Sequence, residues 1–166
     1  MKERLHTMFL GFILLVLTSN LFADDLNQEE TFFIKSCEKG NMQSCMTLGQ
    51  NYAAGTYRGI QEKRNFTKAF KYLLKACDGG ILRSCNFAAH SYFTGLGATQ
   101  DYIKAKSLYE KSCTDDELSG CLSLATMYEK GLGVKTDHNT ANKIYKRMCL
   151  SGYDDSSCNK LNTKSK

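Results

Sequence analysis

Three features of the 166-residue sequence predict an all-helical protein built as a stack of four αα-hairpins. Eight cysteines fall into four pairs, Cys37/Cys45, Cys77/Cys85, Cys113/Cys121 and Cys149/Cys158, and successive first cysteines lie 40, 36 and 36 residues apart. A period in that range belongs to stacked helical hairpins. Twelve residues before each first cysteine stands an Asx residue, Asp25, Asn65, Asp101 or Asp137, whose side-chain oxygen can satisfy an orphan backbone N–H at a helix start. The first three units also carry Tyr-x-x-Gly, at Tyr52 to Gly55, Tyr92 to Gly95 and Tyr128 to Gly131, where glycine supplies the left-handed residue that ends a helix.

Residues 1–23 read as a secretory signal peptide. Lys2 and Arg4 precede the apolar run Met8 to Leu17, and Leu21-Phe22-Ala23 ends on a small residue suited to cleavage. A run of that length spans about 15 Å as a helix, short of the roughly 30 Å hydrocarbon core, which disfavours a membrane anchor. No cysteine near the cleavage site offers a lipid attachment point. The expected mature chain, 24–166, is a single domain of four units at about 25–64, 65–100, 101–136 and 137–166, exported to the periplasm or beyond the cell, where disulfides persist. Removing Lys2, Glu3 and Arg4 leaves a formal charge of +4, too modest to predict nucleic-acid binding.

Within each unit, the stretch from the Asx residue to the first cysteine is long enough for a helix of about three turns. Its apolar or small residues sit eight, five, four and one positions before the cysteine: Ala69, Tyr72, Leu73, Ala76; Ala105, Leu108, Tyr109, Ser112; Ala141, Ile144, Tyr145, Met148. Such offsets form one helical face. The first unit has Glu29 where the others have alanine, with Phe32 and Phe33 in register. A turn follows, with early glycines at Gly40, Gly79, Gly80 and Gly152, while the third unit has Asp115 and Asp116 instead. A second helix is expected from near the second cysteine to the Tyr-x-x-Gly. Connectors containing Gly95-Leu96-Gly97 and Gly131-Leu132-Gly133 lead to the next cap. Four extra connector residues around Arg58 to Lys63 account for the longer first step, and the short polar end after Cys158 reads as a capping unit.

Two cysteine pairings fit the repeat. One joins the cysteines within each hairpin. The other joins Cys45 to Cys77, Cys85 to Cys113 and Cys121 to Cys149, leaving Cys37 and Cys158 over. The first uses every cysteine and is the expectation, although both are sterically open. Zinc is not expected, since its sites favour C-x(2–4)-C spacing and the mature chain offers only His90 and His138. No cofactor is expected either.

KAFKYLLKAC and KAKSLYEKSC ahead of the cysteines, the C-x(7)-C spacing, and Tyr-x-x-Gly followed by Gly-Leu-Gly together resemble the SEL-one-like repeats, a tetratricopeptide-type family, and within it the Helicobacter cysteine-rich proteins. The resemblance covers essentially the whole mature chain. It implies a right-handed superhelix of disulfide-bridged αα-hairpins, exported from the cell. It also implies two kinds of activity: binding of other proteins, including host recognition, or penicillin binding with weak β-lactamase activity.

A serine β-lactamase needs S-x-x-K together with S-D-N and K-T-G. S-x-x-K occurs at Ser36/Lys39 and Ser157/Lys160, but S-D-N and K-T-G do not occur, and the nearest string is Lys135-Thr136-Asp137. The enzyme reading, with a β-lactam or peptidoglycan fragment as ligand, therefore stands on resemblance alone. The binding reading has residues behind it. Positions nine, six and two before each first cysteine share a helix face away from the core: Gln28, Thr31, Lys35; Lys68, Lys71, Lys75; Lys104, Ser107, Lys111; Thr140, Lys143, Arg147. Eight of these twelve are basic, and helices so placed are expected to line the concave surface of the repeat class. An ordinary solvated face would also carry lysines. As a binding stripe it predicts a protein or peptide partner with acidic groups, with no role for nucleic acid or, after signal cleavage, for membrane.

Overall fold

The computed structural model describes residues 28–57, 60–61, 64–114, 116–153 and 155–163. The expected signal peptide and the Asp25 cap lie outside these residues. Helices α1 (28–38) and α2 (Met42–Ala54), α3 (Phe66–Asp78) and α4 (Leu82–Thr94), α5 (Tyr102–Lys111) and α6 (Cys121–Lys130), and α7 (His138–Leu150) and α8 (Asp155–Thr163) form four successive hairpins. Each hairpin is closed by its own disulfide, Cys37–Cys45, Cys77–Cys85, Cys113–Cys121 and Cys149–Cys158. With all eight cysteines paired, none remains as a thiolate metal ligand.

The helices start where the Asx residues stand. Asn65 accepts from the Lys68 N–H at 2.9 Å, Asp101 from the N–H groups of Ile103 and Lys104 at 3.0 Å, and Asp137 from the Thr140 N–H at 3.0 Å. The backbone bond from Lys104, followed by that residue's ammonium, holds the Asp101 carboxyl below the ordinary aspartate range. The hydroxyl and then the N–H of Thr140 do the same for Asp137. A depressed folded pKa contributes stability that is present above the unfolded value and lost as pH falls through the folded one. Lowering the pH from about 6 to about 3 should therefore lower the melting temperature. An Asp101→Asn/Asp137→Asn variant, capped by groups that do not titrate, should lose part of that dependence. An unchanged pH profile would remove the caps from the account.

Each cap residue also anchors the connector before it. The N–H groups of Asn65, Asp101 and Asp137 donate to the carbonyls of Tyr52, Tyr92 and Tyr128 at 2.8–2.9 Å. The tyrosine of Tyr-x-x-Gly and the next cap thus form a fixed frame, and the intervening chain can vary. The first connector holds a two-residue antiparallel pair, β1 (Thr56–Tyr57) with β2 (Ile60–Gln61), where periodicity had predicted only a longer connector. Gly55, Gly95 and Gly131 adopt the expected left-handed conformation at φ 67°, 78° and 71°.

Three of the hairpin turns follow one design. Gly40, Gly80 and Gly152 have positive φ, and the N–H one residue beyond each reaches back to Ser36, Ala76 or Met148 at 3.0–3.2 Å. That is the Schellman closure. The third turn has Asp116 at the equivalent position, and a Cβ opposes positive φ. The chain opens instead into a wider loop, closed by Thr114 N–H to Glu117 O at 2.8 Å and Gly120 N–H to Ser112 O at 3.1 Å. Consequently α6 begins at its cysteine, whereas α2, α4 and α8 begin three residues before theirs.

The core follows the expected offsets. Ala69, Leu73, Ala76, Ala105, Leu108, Tyr109, Ser112, Ala141, Tyr145 and Met148 are buried, together with Leu48, Ala88, Ala89, Leu124 and Ala125 from the second helices. Phe32 departs from its register and is 64% exposed. Its counterparts Tyr72, Leu108 and Ile144 pack against the preceding hairpin, and among the described residues α1 has none before it.

A polar cluster recurs along the stack, twice across adjacent units and once within the third hairpin. Tyr52 donates to Glu30 and lies 4.7 Å beneath the Lys68 ammonium. Tyr128 donates to Glu110 at 3.4 Å beside Lys106, itself 2.6 Å from Glu110. Tyr145 donates to Glu129 at 3.0 Å and accepts from Lys160 at 2.8 Å. In each, a tyrosine ring packs within the stack while its hydroxyl and a lysine bind one carboxylate.

Candidate functional site

From α2 to α7, charge separates by helix row. Helix α3 carries Lys68, Lys71 and Lys75, α5 carries Lys104, Lys106 and Lys111, and α7 carries Lys143, Lys146 and Arg147. Helix α2 carries no charged residue, α4 only Arg83, and α6 Glu129 and Lys130 in its last turn. Both rows give their small residues to the core, but only α3, α5 and α7 alternate those residues with long cationic stems.

Lys35, Lys68, Lys71, Lys75, Lys104, Lys111 and Lys143 are all exposed. Lys68 and Lys104 also serve the stack, lying over Tyr52 and Tyr92 at 4.7 and 5.4 Å and meeting Glu30 and Asp101 at 3.9 and 3.4 Å. Lys71 sits 5.8 Å over the ring of Tyr72. Lys75, Lys111 and Lys143 form no ion pair among the described residues. Arg147 belongs elsewhere. It is half-buried, and its Nη2 lies 3.1 Å from the Cys113 carbonyl and 2.7 and 2.9 Å from the sulfurs of Cys113 and Cys121. The offset that put it on the stripe could not show this, because the contact spans 34 residues and depends on how the third and fourth hairpins meet.

The serines of the two S-x-x-K strings are structural. Ser157 is fully buried with its hydroxyl on the Met148 sulfur at 3.8 Å, and Lys160 is bound to Tyr145 and Glu129. Ser36 accepts a hydrogen bond from Ser44 at 2.9 Å. Neither string presents a free serine beside a free lysine. No group of three potential metal ligands occurs among the described residues.

Stacked disulfide-closed hairpins with one cation-bearing helix row define a helical-repeat solenoid. The Sel1 repeat model matches residues 47–81, 82–116 and 118–153, and the chain belongs to the Sel1 repeat family. Among solved structures it is similar to a protective antigen of uropathogenic Escherichia coli displaying an SLR fold (25% identity, TM-score 0.71), covering 82% of this chain and 28% of that one. The chain thus spans little more than a quarter of that antigen. It also resembles a Sel1 repeat protein from Oxalobacter formigenes (23%, TM-score 0.68, 82% of this chain and 98% of that one) and Helicobacter pylori cysteine rich protein B (29%, TM-score 0.59, 82% and 95%). No curated protein matches the chain.

The matched segments start within α2, at α4 and just before α6. In the family's frame the cationic helices are therefore second in each repeat, whereas the expectation of a concave stripe took them as first. A concave position does not follow from the frame. Four disulfides, with the likeness to a cysteine-rich Helicobacter protein, suggest an extracytoplasmic protein. No helix among the described residues is long and apolar enough to cross a membrane.

Proposed function

We propose that this is an exported, disulfide-closed repeat protein that binds an acidic protein or peptide through the lysines of α3, α5 and α7. The observation that carries the reading is the presence of Lys75, Lys111 and Lys143 on successive helices of one row, exposed and outside any described ion pair. Cations carried on successive helices would meet acidic groups along an extended partner, steering its approach and weakening with salt. Residues 1–23 would act as the export signal, delivering the chain to the periplasm or beyond the cell, where a host protein could be the partner. The β-lactam reading gains nothing from the buried Ser157 or the occupied Lys160.

A labelled oligoglutamate peptide serves as the probe, followed by fluorescence anisotropy across a salt series. The protein should bind it with steep salt dependence, and Lys75→Glu/Lys111→Glu should weaken binding by about tenfold or more. Lys130→Glu, on the opposite helix row, should change it little. Equal losses in both variants, or none in the double reversal, would sink the reading.

A further inference from the structure

The contact between Arg147 and the third disulfide points to chemistry that scaffolding does not require. At the equivalent place in earlier repeats stand Lys75 and Lys111, both exposed to solvent. Only in the fourth does the chain supply an arginine, and its guanidinium turns inward onto Cys113 and Cys121. A neutral disulfide sulfur is a weak acceptor for such a cation. A thiolate in the same place would be a strong one, so the contact favours the reduced state over the oxidised state.

The surroundings of this pair differ in two further ways, in access from the first two pairs and in the turn from all three others. Cys37, Cys45 and Cys85 are fully buried and Cys77 nearly so, whereas Cys113 is half-exposed beside a fully buried Cys121. Its turn lacks the Schellman closure, and α5 and α6 pack against each other less extensively than α3 with α4 or α7 with α8. An incoming thiol has access to one sulfur, and the loop that must yield is the one least held.

We propose that Cys113–Cys121 is an exchangeable disulfide, opened by a dithiol reductant before the other three, with Arg147 as the positioning residue that stabilises the departing thiolate. A reductant thiolate attacks the Cys113 sulfur. The S–S bond breaks with its electron pair going to the Cys121 sulfur, which remains as thiolate beside Arg147. The reductant's second thiolate then displaces the Cys113 sulfur, closing its own disulfide. The two protein sulfurs end as thiols or thiolates, and the dithiol is oxidised by two electrons.

The test equilibrates the oxidised protein in dithiothreitol redox buffers of stepped ratio, quenches in acid, and reads each cysteine by differential alkylation and peptide mass spectrometry. Cys113 and Cys121 should open at a ratio about tenfold less reducing than the other pairs, equivalent to about 30 mV for a two-electron couple. Arg147→Met should remove most of that lead, and Arg147→Lys, which keeps a cation, should retain part of it. Opening of all four pairs together, earlier opening of Cys149–Cys158, or an unchanged order in Arg147→Met would overturn the proposal. Should circular dichroism show that the methionine variant does not fold, a lead undiminished in Arg147→Lys would overturn it equally.

Discussion

Replacing Cys77 and Cys85 together with alanine is expected to lower stability by about 2–5 kcal/mol. In the chain-entropy account, closing a nine-residue loop contributes about 2.6 kcal/mol of this by restricting the unfolded chain. The rest comes from the folded state. Cys77 and Cys85 lie in the largest buried cluster beside Ala88, Ala89 and Leu73, so losing both sulfurs leaves space that close-packed neighbours fill only in part. The corresponding Cys149→Ala/Cys158→Ala change opens a loop of similar length, but its cysteines are half-exposed. It should therefore cost less. Urea unfolding midpoints of the two variants separate the contributions, and equal losses would show that burial of the central pair adds nothing.

Gly97→Ala is expected to cost about 2–5 kcal/mol, because two penalties coincide. Gly97 has φ +84°, where an L side chain pays roughly 1–2 kcal/mol. A Cβ there would also lie 2.1 Å from the Phe66 carbonyl oxygen, and backbone cannot swing aside as a flexible side chain can. Overpacking of this kind costs about 1–3 kcal/mol more. Gly80→Ala is the control. Its φ is +95° but nothing lies within 4 Å of the added carbon. Thermal melts should place Gly80→Ala at the conformational cost alone. If the two variants melted together, the close approach of the Gly-Leu-Gly connector to the first turn of α3 would not limit the fold.

These two changes also mark what could be read along the chain. The Asx caps and the Tyr-x-x-Gly glycines were legible because each acts within one turn of helix or at its end, and the cysteine period because one hairpin repeats along the chain. The offsets of Ala69, Leu73, Ala76 and their equivalents were legible for the same reason, since 3.6-residue periodicity selects one face. The need for glycine at position 97 was visible only as a repeated Gly-Leu-Gly, without its cause. The reason is a backbone contact with Phe66, 31 residues earlier. The Tyr–Lys–Glu clusters were equally hidden. Glu30, Tyr52 and Lys68 come from three helices, and nothing in their spacing announces that they meet.

The candidate site divides in the same way. That α3, α5 and α7 carry outward lysines follows from helical offset, and the exposure of Lys75, Lys111 and Lys143 agrees with it. Arg147 has the same offset and a different fate, since its guanidinium lies on the sulfurs of Cys113 and Cys121 from the preceding hairpin. Asp116 at the position of the other turns' glycine was readable as a difference, but its effect on the following hairpin was not.

Periodicity and capping alone thus determined an all-helical chain of four hairpins, the limits of most helices, the core face of α3, α5 and α7, and the row on which the cations stand. These properties depend on neighbours within one or two turns, and local sequence encodes them directly. Tertiary structure decided which lysines remain free, which of them clamp one repeat to the next, that Phe32 stands uncovered, and that a guanidinium rests on one disulfide of four. Each of those outcomes depends on the surface that a neighbouring hairpin presents, and that surface exists only after the repeats have stacked.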